Sequence, residues 1–139
     1  MTRVFIDSSV LIAAAISAKG KARDLILSSL CGQFTLCLSD LVLDETERNR
    51  KAPAALTTFQ LLREVLDVDV SVPSKSLVLR VANVVKLKDA PIVAGAIRAR
   101  AEYLATYDRK HLLSPKEAIK MRFGIIAATP DDILDFTAR

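Results

Sequence analysis

Short apolar runs alternate with helical stretches along this chain, and the first run stops on an acid: Arg3-Val4-Phe5-Ile6 leads directly into Asp7. A β-branched and aromatic run of that length, apolar on both alternations, reads as a strand covered on both faces. Ser8 and Ser9 then open a helical stretch from Val10 to Ser17. After the loop Ala18-Lys19-Gly20-Lys21 a second helix covers Ala22 to Leu30. Thr35 to Leu38 is the next strand, and Ser39 and Asp40 offer caps to a helix that starts near Leu41 and runs toward Lys51. A further helix is expected over Leu56 to Leu66, an alternating strand over Val68 to Val72 ended by Pro73, and a helix over Leu77 to Val85 begun by Ser74. Asp89, with Pro91 in the first turn, marks a helix from Ala90 to Ala101. Tyr103 to Thr106 and Gly124 to Ala128 complete the strands. This order predicts an α/β fold with a mainly parallel sheet covered by helices on both faces. In such sheets sites form beyond the carboxyl ends of the strands, near a switch in strand order.

Size and composition are consistent with that reading. The 139 residues fit one domain spanning 1–139, and 51% of them are apolar, enough for a substantial core and too many for a disordered chain. Twenty Lys and Arg against sixteen Asp and Glu leave a net charge of +4, a modest excess that suits a polyanionic partner without identifying one. Cys31 and Cys37 match no zinc or redox spacing and read as core thiols in a reducing compartment. The apolar run from Val10 to Ile16 is too short to span a bilayer, and no signal-peptide pattern is evident, so a cytoplasmic protein without a membrane association is expected. The first two helices are rich in Ile, Leu and Ala, which predicts an apolar surface that associates with a second copy or a partner segment.

Four acids stand where chemistry would be placed, and each has a plainer reading. Asp7 is an acid on a rigid strand end with Ser9 beside it, or the N-cap of the helix that follows. Glu45 sits among Asp44, Thr46, Glu47 and Arg48, as a solvated face would. At ~100° per residue, however, it lies between Leu41 and Val42 around the helix axis, on the inward side, where a carboxylate needs a partner. Asp89 before Ala90-Pro91-Ile92 is ordinary capping chemistry, though a carboxylate has two oxygens and capping leaves one over. Asp108 is either a turn residue or an acid at a strand's carboxyl end, oriented by Thr106 two residues upstream. Taken together, several carboxylates suit Mg²⁺ or Mn²⁺, which prefer oxygen ligands, and a metal-bound water attacks a phosphodiester readily. Cations flank two of these acids, Arg48, Arg50 and Lys51 after Glu45 and Arg109 and Lys110 after Asp108. Arg48, Arg109 and Lys110 are the expected phosphate and RNA contacts, with helix-surface salt bridges such as Asp44 with Arg48 as the plainer account of the first group. No catalytic histidine is required, and His111 reads as a surface residue.

The segments Val4-Phe5-Ile6-Asp7-Ser8-Ser9-Val10-Leu11, Ser39-Asp40-Leu41-Val42-Leu43-Asp44-Glu45, Asp89-Ala90-Pro91-Ile92 and Leu104-Ala105-Thr106-Tyr107-Asp108 resemble, in order and spacing, the PIN-domain family. The likeness spans nearly the whole chain and is closest to small stand-alone prokaryotic members, including the VapC-type toxins of type II toxin–antitoxin systems. It implies a three-layer α/β/α sandwich, an endoribonuclease dependent on Mg²⁺ or Mn²⁺, frequent homodimers and, for a toxin, an antitoxin partner that inserts into the site. The family's acids carry over onto Asp7, Glu45, Asp89 and Asp108, with Ser9 and Thr106 as supporting hydroxyls. One departure is visible: many VapC-type members have an acid five residues after the threonine, where this chain has His111, so that Asp108 serves as the fourth acid. Among other classes, a haloacid-dehalogenase-like phosphatase would need a second Asp where Ser9 stands, and a receiver-like phosphoacceptor would need an acidic pair that is absent near the first strand. A catalytically silent PIN scaffold that binds RNA or a protein remains the non-enzymatic alternative.

Overall fold

In the computed structural model, which describes residues 2–49, 60, 64, 68–69 and 72–138, five parallel strands form one sheet in the order β3-β2-β1-β4-β5. The strands are β1 (Arg3–Ile6), β2 (Thr35–Ser39), β3 (Val68–Asp69), β4 (Tyr103–Ala105) and β5 (Ile126–Ala128). Between them run α1 (Ser8–Ile16), α2 (Lys21–Leu30), α3 (Asp40–Asn49), α4 (Lys75–Val81), α5 (Ala90–Arg98) and α6 (Lys116–Phe123), with α7 (Pro130–Thr137) closing the chain. Two crossovers lead from β1 outward to β2 and β3; the chain then returns across the sheet to β4 and continues outward to β5. Right-handed crossovers in opposite directions put their helices on opposite faces. The result is the three-layer α/β/α sandwich, with α1 packed on α2 and α3 in one layer and α4 on α5 in the other.

The central strand is the most deeply covered. Val4, Phe5 and Ile6 are fully buried, and the neighbouring Leu38 and Leu104 equally so. Helix α5 approaches β1 closely at Gly95, where a Cβ would stand 3.1 Å from the Phe5 ring, so a glycine in mid-helix serves the helix–sheet contact. The ladders continue past the strand ends: Asp7 N–H donates to the Ala105 carbonyl at 3.0 Å and Thr106 N–H to the Ala128 carbonyl at 3.0 Å. These two bonds align Asp7 and Thr106 on one rim.

Several elements differ from expectation. Helix α1 begins at Ser8, directly after Asp7, and ends at Ile16. Ser39 belongs to β2 and its hydroxyl accepts from Val42 N–H at 3.4 Å, so Ser39 caps α3 and Asp40 is already helical. Ser74 caps α4 as expected, but α4 stops at Val81, and residues 82–84 tighten into turns with Val84 N–H bonded three residues back to the Val81 carbonyl. Helix α5 stops at Arg98 because Arg100 takes φ 56°, and β5 starts at Ile126 rather than Gly124. Two helices were not anticipated. Thr129-Pro130-Asp131-Asp132 is a cap, an N1 proline and two first-turn acids, and it starts α7; Gly124 at φ 72° closes α6. Cys37 is buried, but Cys31 is exposed, so only one thiol is a core residue. The expected helix over 56–66 lies outside the described residues except Gln60 and Glu64, which are helical. Of the strand over 68–72, residues 70 and 71 lie outside, as do residues 50 and 51 of the third helix.

Candidate active site

The strand order reverses between β1 and β4, and the crevice beyond their carboxyl ends is the switch point of the sheet. Asp7 leaves β1 into this crevice with 6% of its surface exposed. Its Oδ1 accepts Ser8 N–H at 2.7 Å, and its Oδ2 accepts the hydroxyls of Thr106 at 2.8 Å and Ser9 at 3.1 Å. Each of those hydroxyls also accepts a backbone N–H, Thr106 from Asp108 and Ser9 from Tyr107, both at 3.0 Å. Ser9 and Thr106 thus join the first turn of α1 to the turn after β4, and Asp7 is held at both oxygens. Asp7 caps α1 while its other oxygen is held by the two hydroxyls.

Glu45, in the second turn of α3, is brought over α1, where Ser8 donates its hydroxyl to Glu45 Oε2 at 3.1 Å. The helical geometry expected for this residue is realised, since Val42 is fully buried and Glu45 half-buried. Asp89 does not cap α5. Its backbone is already helical (φ −99°, ψ −12°), its side chain makes no capping bond, and its Oδ2 is buried with no hydrogen-bond partner. The nearest cation, Lys88 Nζ, stands 3.5 Å from that oxygen. Asp108 caps a π-helical turn, Arg109–Leu113, by accepting His111 N–H at Oδ1, while His111 Nδ1 lies 3.3 Å from Oδ2. His111 is therefore not a free surface residue; its side chain is 18% exposed and engages both oxygens of Asp108.

Asp7, Glu45, Asp89 and Asp108 line one cleft of about 340 Å³, walled further by Ser8, Ser9, Ile12, Ile92 and Lys88. Burial raises the Asp7 carboxyl above the ordinary carboxylate range, against the lowering effect of its Thr106, Ser8 and Ser9 bonds, and the charge of Asp108 adds to the rise. Burial likewise raises Glu45, opposed by the Ser8 hydroxyl and by Arg48 and reinforced by Asp7 and Asp89. Mutual repulsion and an orphaned carboxylate oxygen describe a donor set that fits an oxygen-preferring divalent cation. Among the described residues no three His, Cys, Asp or Glu groups form a ready-made ligand set.

The expected phosphate contacts lie elsewhere. Arg48 lines a separate depression with Leu41, Asp44 and Glu47 on the outer side of α3, Arg109 lines a larger cleft between the π-helical turn and α7, and Lys110 is exposed and lines neither. Sequence reasoning missed Lys88 and Ser8. Lys88 had a signal, as a cation one residue ahead of a helix N-cap stands against the helix dipole and calls for a local anion. No helix of the described residues is long and apolar enough to cross a membrane.

Among curated proteins none matches this sequence. Solved structures share the fold, PAE2754 and VapC20 among them. PAE2754 from Pyrobaculum aerophilum is 19% identical, with a TM-score of 0.64, 99% of this chain covered and 96% of that one. VapC20 of Mycobacterium tuberculosis, described as a sarcin–ricin-loop-cleaving toxin, is also 19% identical, with a TM-score of 0.53 over 77% of this chain and 91% of that one. The family model of the PIN domain matches residues 3–110, a span that runs from the first strand past Asp108 and takes in every acid of the cleft. On that match, and with the sandwich and switch-point crevice that go with it, the chain belongs to the PIN-domain family.

Proposed function

We propose that the chain is an endoribonuclease that hydrolyses RNA phosphodiester bonds with Mg²⁺ or Mn²⁺ held by Asp7, Glu45, Asp89 and Asp108, directly or through water. The observation that carries this reading is the convergence of four carboxylates on one cleft whose described lining offers a single ammonium, Lys88, 3.5 Å from the buried Asp89 Oδ2, because crowded like charges are costly unless further positive charge neutralises them. A divalent ion there would supply an activated water and charge stabilisation at the phosphate. The chain's own residues supply the rest. Ser9 and Thr106 fix the Asp7 carboxylate, Ser8 aims Glu45, and His111 holds Asp108. Ile12 and Ile92 are the apolar residues of an otherwise polar lining.

Membership of a nuclease family supports the reaction class, and the likeness to VapC20 supports RNA as substrate and the toxin of a type II pair, with a cognate antitoxin and a cytoplasmic site of action. Exposed Leu27 and Leu30, three residues apart on α2, support a homodimer through that face. A catalytically silent scaffold has one observation in its favour, the absence of a ready-made ligand set among the described residues. Incubating the chain with a panel of single-stranded, hairpin and sarcin–ricin-loop RNAs with and without Mn²⁺ separates the two. The nuclease cuts at least one RNA only with the metal and loses this in Asp89→Asn; the scaffold binds RNA and leaves it intact in every condition.

A further inference from the structure

We propose that Lys88 binds the RNA phosphate at the cleft, a role that rests on the nuclease reading above. Among the described residues lining the cleft, Lys88 is the single cation, facing four carboxylates. One ammonium cannot neutralise four acids, and a divalent ion added to it still leaves the cleft short of positive charge, so a phosphodiester approaching this site needs a local cation from the protein. Arg48, Arg109 and Lys110, the cations expected from the sequence to meet phosphate, do not line the cleft.

Depth and connectivity fit the role. Asp7 forms the floor, whereas the Lys88 side chain is 61% exposed and places its ammonium at the mouth, 3.5 Å from Asp89 Oδ2 and 3.4 Å from His111 Nδ1. His111 Nδ1 cannot donate to Asp108 and accept from Lys88 at once. With the His111–Asp108 bond made, the ammonium keeps its donors for Asp89 and for an incoming oxygen. The Lys88 backbone is held in the turn that starts α5, where Asp89 N–H and Ala90 N–H both bond to the Lys86 carbonyl, at 2.9 and 3.0 Å. The stem is thus anchored while the head is free to follow a ligand. A purely structural account leaves the other donors of a largely exposed ammonium unused, and a cation ahead of a helix N-terminus opposes the helix dipole.

The test combines Lys88→Gln and Lys88→Arg with two independent readouts. In the first, a fluorescein-labelled single-stranded RNA is titrated in Mn²⁺ against the Asp7→Asn chain with and without Lys88→Gln, over about 50 to 200 mM salt. Lys88→Gln is expected to weaken binding roughly tenfold to a hundredfold, the worth of one charge-assisted hydrogen bond, and to flatten the slope of log affinity against log salt by about 0.7. In the second, cleavage by the otherwise unaltered chain should show the loss mainly in KM, with Lys88→Arg retaining most of the parent's activity, and thermal melts should show the Mn²⁺-induced rise in Tm unchanged. RNA affinity and salt slope indifferent to Lys88→Gln would overturn the assignment. So would a loss confined to the Mn²⁺ response, which would make Lys88 a partner of the acids alone. A chain that binds RNA through Lys88 without cutting it would overturn the nuclease reading and leave the phosphate contact standing.

Discussion

Asp7 and Asp89 occupy the same formal position, the residue before a helix, yet their carboxylates are in opposite situations. Both Asp7 oxygens are bonded, one to an N–H and the other to two hydroxyls, while Asp89 makes no capping bond and has a buried oxygen with no donor. The two Asn substitutions therefore diverge. In Asp89→Asn no cap is lost and a repelling charge disappears, so the metal-free protein should keep its stability within about 1 kcal/mol or gain slightly. In Asp7→Asn an amide N–H₂ would face the Ser9 and Thr106 hydroxyls, which already accept backbone N–H bonds and would lose their acceptor, at a cost of about 1–3 kcal/mol per orphaned group, offset in part by the removal of a buried charge. Urea denaturation of both variants without metal measures this difference. Mn²⁺-dependent cleavage should fall in each by more than the roughly 10–100-fold of an outer-shell change. An Asp89→Asn chain that loses several kcal/mol without metal would show that the carboxylate is a structural group.

At the scale of elements, helix ends explain where the sequence pattern and the structure part. Helix α2 stops at Leu30 and is closed by Gly32 (φ 86°), with Gln33 N–H bonded to the Ser28 carbonyl and Gly32 N–H to that of Ser29. Helix α5 ends with the same pair of bonds, Ala101 N–H to Ala96 and Arg100 N–H to Ile97, but with Arg100 in the left-handed position. No glycine announced this stop, which is why the apolar pattern alone carried α5 on to Ala101. A side chain in that conformation costs about 1–2 kcal/mol, and glycine in turn loses more backbone entropy on folding. Arg100→Gly should thus stabilise the fold by up to about 1 kcal/mol, whereas Gly32→Ala should destabilise it by a similar amount, even though a Cβ there meets nothing within 4 Å. Midpoints of urea unfolding at constant m-value decide both.

For the molecule as a whole, the acidic cleft couples stability to pH and to metal. Folding raises the pKa of Asp7 and Glu45, so between the ordinary carboxylate range and the raised values the unfolded chain has lost protons that the folded chain keeps. Stability contributed at these two sites is therefore full at the acid end of that interval, falls as pH rises through it, and levels off once both states are ionised. A divalent ion that binds the ionised carboxylates should reverse the trend, so that Mn²⁺ stabilises little at the acid end and progressively more above it. Melting across pH with and without Mn²⁺ reads both slopes. A metal-free stability that rises through this window in the parent, and is unchanged in Asp89→Asn, would contradict the cleft's electrostatics.

Strands, most helices and the acids themselves were legible because their causes are local. β-branched runs, caps, Pro91 behind Asp89 and the inward angle of Glu45 are all set within a few residues, and short apolar strands alternating with helices leave an α/β sandwich as the natural packing. The helices after Thr106 escaped that reading, although Thr129-Pro130 and Gly124 were local signals for them. What remained illegible is pairing across long separations. The Thr106 hydroxyl reaches Asp7 across 99 residues and Ser8 reaches Glu45 across 37; the first meeting depends on β4 lying next to β1 and the second on α3 packing against α1. The order of the strands also decides that Lys88, and not Arg48, Arg109 or Lys110, lines the acid cleft, because charge in the sequence carries no direction until the chain has crossed back over its own sheet. The types of the cleft's side chains were set by the sequence alone; their convergence and the cation at their mouth were decided by tertiary structure.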